Sequence, residues 1–256
     1  MPTRSDAPLG APIWILLQTT DEAAARSFYG RIFGWEGTPA DADYGGYFTF
    51  LRCEDPVAGC SEHEASEPQA DTWVTYFASS DAGVTTKAAA AAGATVLVEP
   101  MQVNVQGTMA VVADPGGTVV GIWEPNEHRG FRRFGEPGTP GWFDLETRDY
   151  AKVVEFYREA LGWTTNVLSD TDEFRYTMLQ VGEEQLAGIM DGGGYLAAHA
   201  PTSWTVVFSV EDTDATVAQV LELGGGVQRP AHDSPYGRLA TMEDPMGAKF
   251  ALISGA

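Results

Sequence analysis

The sequence predicts an α+β fold built from four βαβββ units arranged in two pairs. One observation is a recurring pattern: an apolar strand, an Asp, an amphipathic helix and a Gly-Trp stop occur early in the chain and again past its middle. A second observation is the constant spacing between partners in the two copies, which indicates an internal repeat. The partners are Trp14/Trp142, Leu17/Leu145, Thr19/Thr147, Asp21/Asp149, Phe28/Phe156, Tyr29/Tyr157, Gly34/Gly162 and Trp35/Trp163.

The first unit begins with the apolar run Ile13 to Thr19, which predicts a strand. Asp21 can cap the next helix, because its carboxylate accepts hydrogen bonds from the free N–H groups of the first turn. Gly34 ends that helix. Residues 1–10 are polar and contain two prolines, so they predict a loose arm. Further strands of the first half are predicted at 47–51, 57–60, 73–77, 95–98, 109–113 and 119–123.

The second unit and the second half follow the same plan. Asp81 opens an Ala-rich helix that stops at Gly93, and Asp114-Pro115-Gly116-Gly117 predicts a turn before the last strand. The second half repeats these landmarks with Trp204 for Trp73, Asp212 for Asp81, Gly224 for Gly93 and Asp244 for Asp114. Each half should therefore contain two βαβββ units.

The repeat predicts two domains, at 11–125 and 141–254, which should superpose on each other. Residues 126–140 between them are rich in Pro and Gly and carry three arginines, which predicts a linker outside both cores.

Composition excludes several classes of function. The net charge of −21 would repel nucleic acid phosphates, although an acidic cleft could attract a cationic ligand. No apolar run is long enough to span a membrane, and no signal peptide is evident. Cys53 and Cys60 are too few for a disulfide framework, so we expect free thiols in the cytoplasm. Because the paired halves already form an internal pseudo-dimer, we expect a monomer or a weak homodimer.

Paired βαβββ units with these landmarks resemble the glyoxalase/bleomycin-resistance/extradiol-dioxygenase superfamily, also called vicinal oxygen chelate proteins. The residues that carry the resemblance are the strand-Asp-helix segments with Phe28-Tyr29 and Gly34-Trp35, the helix ending at Gly93, and the Asp114-Pro115-Gly116-Gly117 turn, each with its equivalent in the second half. The resemblance implies that each unit curls its strands into a half-barrel and that two units enclose a cleft.

The resemblance also implies places for metal ligands, which metal-dependent members fill with His and Glu. In this sequence those places hold Trp14, Val74 and Gly121 in the first half and Trp142, Thr205 and Ala251 in the second. None of these side chains binds a divalent metal. The four histidines, His63, His128, His199 and His232, fall in predicted loops or the linker. We therefore expect no metal ion and no other cofactor.

Cleft-facing side chains can be assigned because strand residues alternate between the two faces of a sheet. Leu16 and Gln18 should face the first cleft with Trp14, and Asp144 and Glu146 should face the second with Trp142. The two tryptophans either stack on a flat ligand or plug cavities that a lost metal would leave. Asp144 and Glu146 either bind ligand by hydrogen bonds or act as a general acid and base, since neighbouring carboxylates can raise one pKa.

Other polar and aromatic residues are candidates for ligand binding. They are Tyr47 and Tyr176 at matching strand positions, Tyr76, Thr205, and His232 and Tyr236 in a predicted loop over the second cleft. His232 is either an acid or base near neutral pH or a solvated histidine. A catalytic triad of Ser234, His232 and Asp233 is not favoured, because residues adjacent in sequence rarely face one another.

These residues support three hypotheses. The first is metal-independent binding or sequestration of a small hydrophobic or aromatic molecule, in antibiotic resistance or secondary metabolism; antibiotic-sequestering members of the superfamily look similar in lacking metal ligands and stacking their drug on Trp. The second is a metal-independent isomerase, lyase or ring-opening enzyme that uses Asp144 and Glu146 as acid and base. The third is a structural or signalling protein with vestigial clefts.

Overall fold

The computed structural model describes residues 6–64, 70–197 and 202–255, which form sixteen strands and four α-helices. The first half contains β1 (Pro12–Thr19), α1 (Glu22–Phe33), β2 (Glu36–Gly37), β3 (Phe48–Arg52), β4 (Asp55–Glu62), β5 (Thr72–Ala78), α2 (Ala82–Ala91), β6 (Thr95–Val103), β7 (Gly107–Ala113) and β8 (Val119–Pro125). The second half contains β9 (Pro140–Thr147), α3 (Tyr150–Leu161), β10 (Thr165–Asp170), β11 (Arg175–Val181), β12 (Glu184–Asp191), β13 (Trp204–Ser209), α4 (Thr213–Glu222), β14 (Gly226–Ser234), β15 (Gly237–Glu243) and β16 (Lys249–Ser254). None of the helices in these ranges is long and apolar enough to cross a membrane.

Each half forms one eight-stranded mixed sheet. The strand order is β2-β3-β4-β1-β5-β8-β7-β6 in the first half and β10-β11-β12-β9-β13-β16-β15-β14 in the second. The two units of each half meet at an antiparallel pair, β1 with β5 and β9 with β13. The orders are identical after renumbering, so the predicted α+β fold of four βαβββ units in two pairs is confirmed.

Three local predictions were wrong. His232 does not lie in a loop, because β14 extends to Ser234 and only Pro235 and Tyr236 separate it from β15. Asp149 precedes α3 but makes no capping bond, since its backbone (φ −102°, ψ 42°) is turned away from the extended conformation that the three capping aspartates adopt. The predicted loose arm covered residues 1–10; residues 1–5 lie outside the described part of the chain, and residues 8–10 form an ordered turn held by a bond from Gly10 N–H to Ala78 O (2.8 Å).

The strands alternate as expected between an inner core face and a concave cleft face. In β1, Ile13, Ile15 and Leu17 are at most 1% exposed and pack in the core. Trp14 therefore points to the concave side, where it pairs in register with Tyr76 of β5. The same alternation places Trp142 on the concave side of the second sheet.

The two halves share a buried aromatic core. Tyr29 of α1 packs against Phe250 of the other half, with ring centroids 6.1 Å apart, and its hydroxyl donates to Asp244 Oδ2 (2.9 Å). Trp73 Nε1 donates in turn to the Tyr29 hydroxyl (3.1 Å). We call this chain of bonds a Trp-Tyr-Asp relay, and a second relay runs through Trp204, Tyr157 and Asp114 with distances of 2.6 and 3.3 Å. The Phe-Tyr and Asp-Pro motifs of the sequence thus meet across the halves.

Two equivalent glycine turns join the halves further. Trp163 Nε1 donates to Gly10 O (2.8 Å), and Trp35 Nε1 donates to Gly138 O (2.7 Å). Both glycines have positive φ values, +76° and +81°, which glycine adopts without strain. The turn before β1 therefore contacts the second half, and the equivalent turn before β9 contacts the first half.

The linker was predicted to lie outside both cores, and this is wrong for its middle. Phe131 is only 2% exposed and belongs to the hydrophobic core, where its ring lies 5.7 Å from Trp14 and 6.1 Å from Phe143. Its N–H also bonds to Ile13 O (3.0 Å). The physical reason is that the apolar edge where the halves meet needs covering, and Phe131 supplies that surface.

Candidate functional site

The second cleft contains a hydrogen-bonded network of Trp142, Asp144 and Tyr176. Trp142 Nε1 donates to Asp144 Oδ1 (2.9 Å) and to the Tyr176 hydroxyl (3.0 Å), and that hydroxyl donates to the same carboxylate oxygen. Tyr176 lies on β11 and must reach across β12 to β9. It can do so because Gly188 lies between them, where a Cβ atom would overlap the Tyr176 hydroxyl.

Burial changes the acid–base properties of this network. Desolvation raises the pKa of Asp144, and the neighbouring Glu146 adds to the increase, while the bonds from Tyr176 and Trp142 and the charge of Lys249 oppose it. Burial also raises the pKa of Tyr176. The expected mutual effect of the two carboxylates is therefore present, but burial is the larger cause.

Glu146 is held by cations rather than free in the cleft. Its side chain is 14% exposed and lies 3.1 Å from Arg229 Nη2 and 3.6 Å from Lys249 Nζ. The Tyr195 hydroxyl donates to its Oε1 atom (3.2 Å). The two carboxylates on β9 thus have different surroundings: Asp144 is bonded to neutral donors, whereas Glu146 has two positive neighbours.

Exposed aromatic side chains surround the opening of this cleft. The Phe174 ring is 41% exposed and stacks on Tyr176, with centroids 5.8 Å apart and planes inclined by 15°. Tyr195 and Tyr236 are 54% and 56% exposed. Thr205 is buried and pairs in register with Asp144. The second cleft therefore joins an accessible aromatic rim to a partly buried polar floor.

The first cleft is filled by its own side chains. Trp14 is 5% exposed, and the His128 ring meets it edge to face at 4.3 Å, with Trp123 5.5 Å from the same imidazole. Burial lowers the pKa of His128 to about 4. The His128 Nε2 and Trp14 Nε1 atoms are buried, and neither makes a hydrogen bond of normal geometry among the described residues. Burial raises the pKa of Tyr47, and the nearby Trp14 indole partly opposes this increase.

Two tyrosines complete this packing. The ring of Tyr47 lies over Gly59 and that of Tyr76 over Gly121, so a Cβ atom at either glycine would overlap the ring. Gln18 also lies on this concave face, partly buried. A ligand-binding role for Trp14, Gln18, Tyr47 or Tyr76 remains a prediction.

The positions that supply metal ligands in metal-dependent members of the family do not suit a metal ion in this chain. Trp142 Nε1 is a donor only, and the Gly121 place is filled by the Tyr76 ring. Across residues 6–64, 70–197 and 202–255, no three His, Cys, Asp or Glu side chains are grouped so that they could hold an ion. His63 instead pairs with Asp71 (3.3 Å), and His199 lies outside the described residues.

The residues around His232 do not form a triad. His232 is exposed, with Nδ1 3.1 Å from Pro230 O. Asp233 pairs with Arg238 (2.8 Å), and Ser234 Oγ donates to Gly237 O (2.7 Å). Each member therefore has a different partner.

Sequence reasoning missed several residues of the second cleft. The alternation along β9 does not indicate Phe174, Tyr195, Arg229 or Lys249, because these residues lie on other strands and loops. One available signal was the alternation of β16, which puts Lys249 on the same face as Ala251.

Comparison with known proteins agrees with the fold and the repeat. The family model "Glyoxalase/Bleomycin resistance protein/Dioxygenase superfamily" matches residues 12–122, and the model "Glyoxalase-like domain" matches residues 142–253. The chain belongs to this superfamily, as the sequence predicted.

Among curated relatives, the chain is 36% identical to "Anthracycline biosynthesis protein DauV" of Streptomyces sp. (strain C5) and 35% identical to "Anthracycline biosynthesis protein DnrV" of Streptomyces peucetius. Each match covers 95% of this chain and 93% of the relative. Among solved structures, the Mn(II)-bound glyoxalase from Novosphingobium aromaticivorans is similar, with a TM-score of 0.67 and 17% identity over 96% of this chain and 82% of that one. At that identity the likeness shows the fold alone.

Proposed function

We propose that the second cleft binds a planar aromatic small molecule without a metal ion, and that the protein carries or sequesters this molecule in secondary metabolism or antibiotic resistance. The observation that carries the proposal is the accessible aromatic rim of Phe174, Tyr195 and Tyr236 above the Trp142–Asp144–Tyr176 network. Flat aromatic rings stack favourably on such side chains, and the buried polar groups fix their orientation.

The contrast between the clefts supports this assignment. Trp142 and Trp14 are equivalent in the repeat, yet Trp14 is covered by His128 and Phe131. Trp142 is only partly buried and shares its indole N–H with two polar partners. The first cleft accordingly acts as a packed core, while the second keeps the features of a binding site.

The names of two relatives support the chemical class. Both are called anthracycline biosynthesis proteins, and anthracyclines are planar, polycyclic aromatic compounds. We infer that the ligand of this chain is a related aromatic metabolite.

Calorimetric titration with a neutral probe, anthraquinone carboxamide, tests the proposal. Wild-type protein should bind it at one site, and Phe174→Ala should weaken binding several-fold because a stacked ring is worth about 0.5–1.5 kcal/mol. Tyr44→Ala is the matched control, since Tyr44 is a comparably exposed aromatic residue (40%) in the first half. If the wild type does not bind the probe, or if both variants lose the same amount of affinity, the proposal is contradicted.

A second candidate function rests on Asp144. A partly buried carboxyl with a raised pKa beside a tyrosine hydroxyl is suited to moving a proton to or from a bound substrate. The test is incubation of acetylanthraquinone, an enolisable aromatic ketone, in deuterated water. Proton transfer predicts deuterium in the methyl group that depends on Asp144 and is lost in Asp144→Asn, whereas a binding protein predicts incorporation at the background rate.

A further inference from the structure

A carboxylate and a hydroxyl group lie side by side on the floor of the second cleft. Asp144 of β9 and Thr205 of β13 are directly opposite each other in an antiparallel pair of strands. Such partners point to the same face of a sheet, with Cβ atoms about 4.5–5.5 Å apart. The neighbouring pair, Phe143 and Val206, is buried in the core, so Asp144 and Thr205 face the cleft.

The protein uses one oxygen of Asp144 and leaves the other to a ligand. Trp142 Nε1 (2.9 Å) and the Tyr176 hydroxyl both donate to Oδ1. No described residue donates a hydrogen bond to Oδ2. Because each oxygen of an ionised carboxylate accepts hydrogen bonds, Oδ2 is an acceptor that a bound molecule can use.

The Thr205 hydroxyl also has no hydrogen-bond partner in the described part of the chain. The residue is only 7% exposed, so this group has lost most of its contact with water. Removing a hydroxyl from water without giving it a hydrogen bond is unfavourable. A ligand oxygen that bonds to Thr205 would remove this penalty.

The first half shows that the fold does not need this polar pair. The equivalent residues there are Leu16 and Val74, which are opposite each other in the same register. The same two strands therefore join with two aliphatic side chains at this position. This difference between the halves favours a role for Asp144 and Thr205 in binding rather than in folding.

From these observations, which rest on the proposed function, we propose that the ligand is a hydroxylated aromatic compound, one hydroxyl of which donates to Asp144 Oδ2 and accepts from the Thr205 hydroxyl. A hydroxyl group fits the pair because it has one hydrogen to donate and two lone pairs that accept. A carbonyl oxygen has no hydrogen, so the carboxylate repels it. Asp144 and Thr205 thus select an alcohol or phenol over a ketone.

Two probes with the same heavy atoms test this preference by calorimetry: hydroxyethylanthraquinone, an alcohol, and acetylanthraquinone, the corresponding ketone. The titrations are made at about pH 8, well above the ordinary pKa range of a carboxyl group. Wild-type protein should bind the alcohol about tenfold more tightly than the ketone, because only the alcohol donates to the carboxylate.

Asp144→Asn is the sharpest variant, since the network fixes how its amide must lie. Trp142 and Tyr176 donate toward the Oδ1 position, so the amide oxygen takes that position and the amide nitrogen replaces Oδ2. The variant then offers a donor where the wild type offers an acceptor. It should bind the alcohol about fivefold more weakly and the ketone about threefold more tightly. Equal losses for both probes would show that Asp144 only holds Trp142 and Tyr176, and would overturn the inference.

Thr205→Val keeps the shape of the side chain and removes its hydroxyl, so it should weaken alcohol binding about three- to fivefold. Thr75→Val is the matched control. Thr75 lies on β5, the equivalent strand of the first half, and its hydroxyl is also without a partner among the described residues, but it is buried opposite Ile15 in the core. Equal effects of the two substitutions on alcohol binding would contradict the inference.

Asp233→Asn is the control for charge, because Asp233 lies on β14 of the same sheet and pairs with Arg238 (2.8 Å). It should leave the preference for the alcohol unchanged. Thermal melting shows that each variant is folded. If neither probe binds the wild type, the proposed function fails and this inference fails with it; if both bind the wild type equally, only the hydroxyl preference fails.

Discussion

The indole N–H of Trp142 bonds to Asp144 and Tyr176, and in the proposed function its ring is the stacking surface for the ligand. We expect Trp142→Ala to weaken binding of anthraquinone carboxamide several-fold or more, because it removes about 0.5–1.5 kcal/mol of stacking beyond area burial. Trp142→Phe should keep much of the affinity, since the ring remains and Tyr176 still donates to Asp144. Calorimetry measures both. Unchanged affinity in Trp142→Ala would mean that the indole only fills space.

Asp144 should make the stability of the protein depend on pH. Its pKa in the folded state is raised above the ordinary value of 3.8, so between these two values the folded state binds more protons than the unfolded state. The free energy of unfolding must then fall as pH rises through this window. Asp144→Asn removes this contribution, so the variant should gain stability relative to the wild type as pH increases.

Urea unfolding of both proteins between about pH 4 and pH 7 measures the effect. Asp114 and Asp244 also have pKa values that burial raises, but both are present in each protein and cancel in the comparison. Stability curves that stay parallel across the range would contradict the assignment.

The residues at the family's metal-ligand places predict a protein without a bound divalent ion. Elemental analysis of protein purified without chelator should find no stoichiometric zinc, iron, nickel or manganese, because Trp14, Trp142, Gly121 and Ala251 offer no suitable donor atoms. One equivalent of metal that is lost on mutation of cleft residues would show that a different ligand set exists.

At the scale of elements, the linker is a structural part of the molecule. We expect Phe131→Ala to lower the free energy of unfolding by about 3–5 kcal/mol, the usual cost of truncating a fully buried phenylalanine. Phe134→Ala is the matched control: Phe134 lies in the same segment but is only partly buried, so its truncation should cost less. Urea unfolding measures both, and equal costs would show that the segment has no buried anchor.

The same segment shows where sequence reasoning succeeds and where it stops. Strands such as Ile13 to Thr19 could be predicted because alternation of apolar residues is a local signal, and the repeat doubled that signal. The packing of Phe131 and His128 could not be predicted, because the Pro and Gly residues around them indicate a linker. The side chains that cover them, Phe143 and Trp14, lie on distant strands. The Asp144–Tyr176 contact could not be predicted either, because it depends on the absence of a side chain at Gly188, on the strand between them.

At the scale of the whole molecule, the two Trp-Tyr-Asp relays join the halves into one unit. Tyr29→Phe should lower the free energy of unfolding by about 1–3 kcal/mol, because buried Asp244 and Trp73 each lose a hydrogen-bond partner. Tyr157→Phe should cost about as much in the second relay, and the double variant should show additive losses because the relays share no residue.

Chemical unfolding of these variants, followed by Trp fluorescence and by far-UV circular dichroism, gives the measurement. Tyr44→Phe is the control, since Tyr44 is exposed. Unfolding in two separate steps, or a cost no larger than that of Tyr44→Phe, would show that the halves are independent.

The two glycine turns have a consequence for how the chain can be connected. The turn at Gly138 reaches Trp35 from the end of β8 through residues 126–137, and the turn at Gly10 occupies the equivalent place against Trp163. By this symmetry, a copy of residues 126–137 placed after β16 has the length needed to reach the start of β1. The new termini can then lie between Gly138 and β9, so that the buried Phe131 stays joined to β8. We expect a circularly permuted chain that begins at β9 to form the same two sheets in the opposite order along the chain.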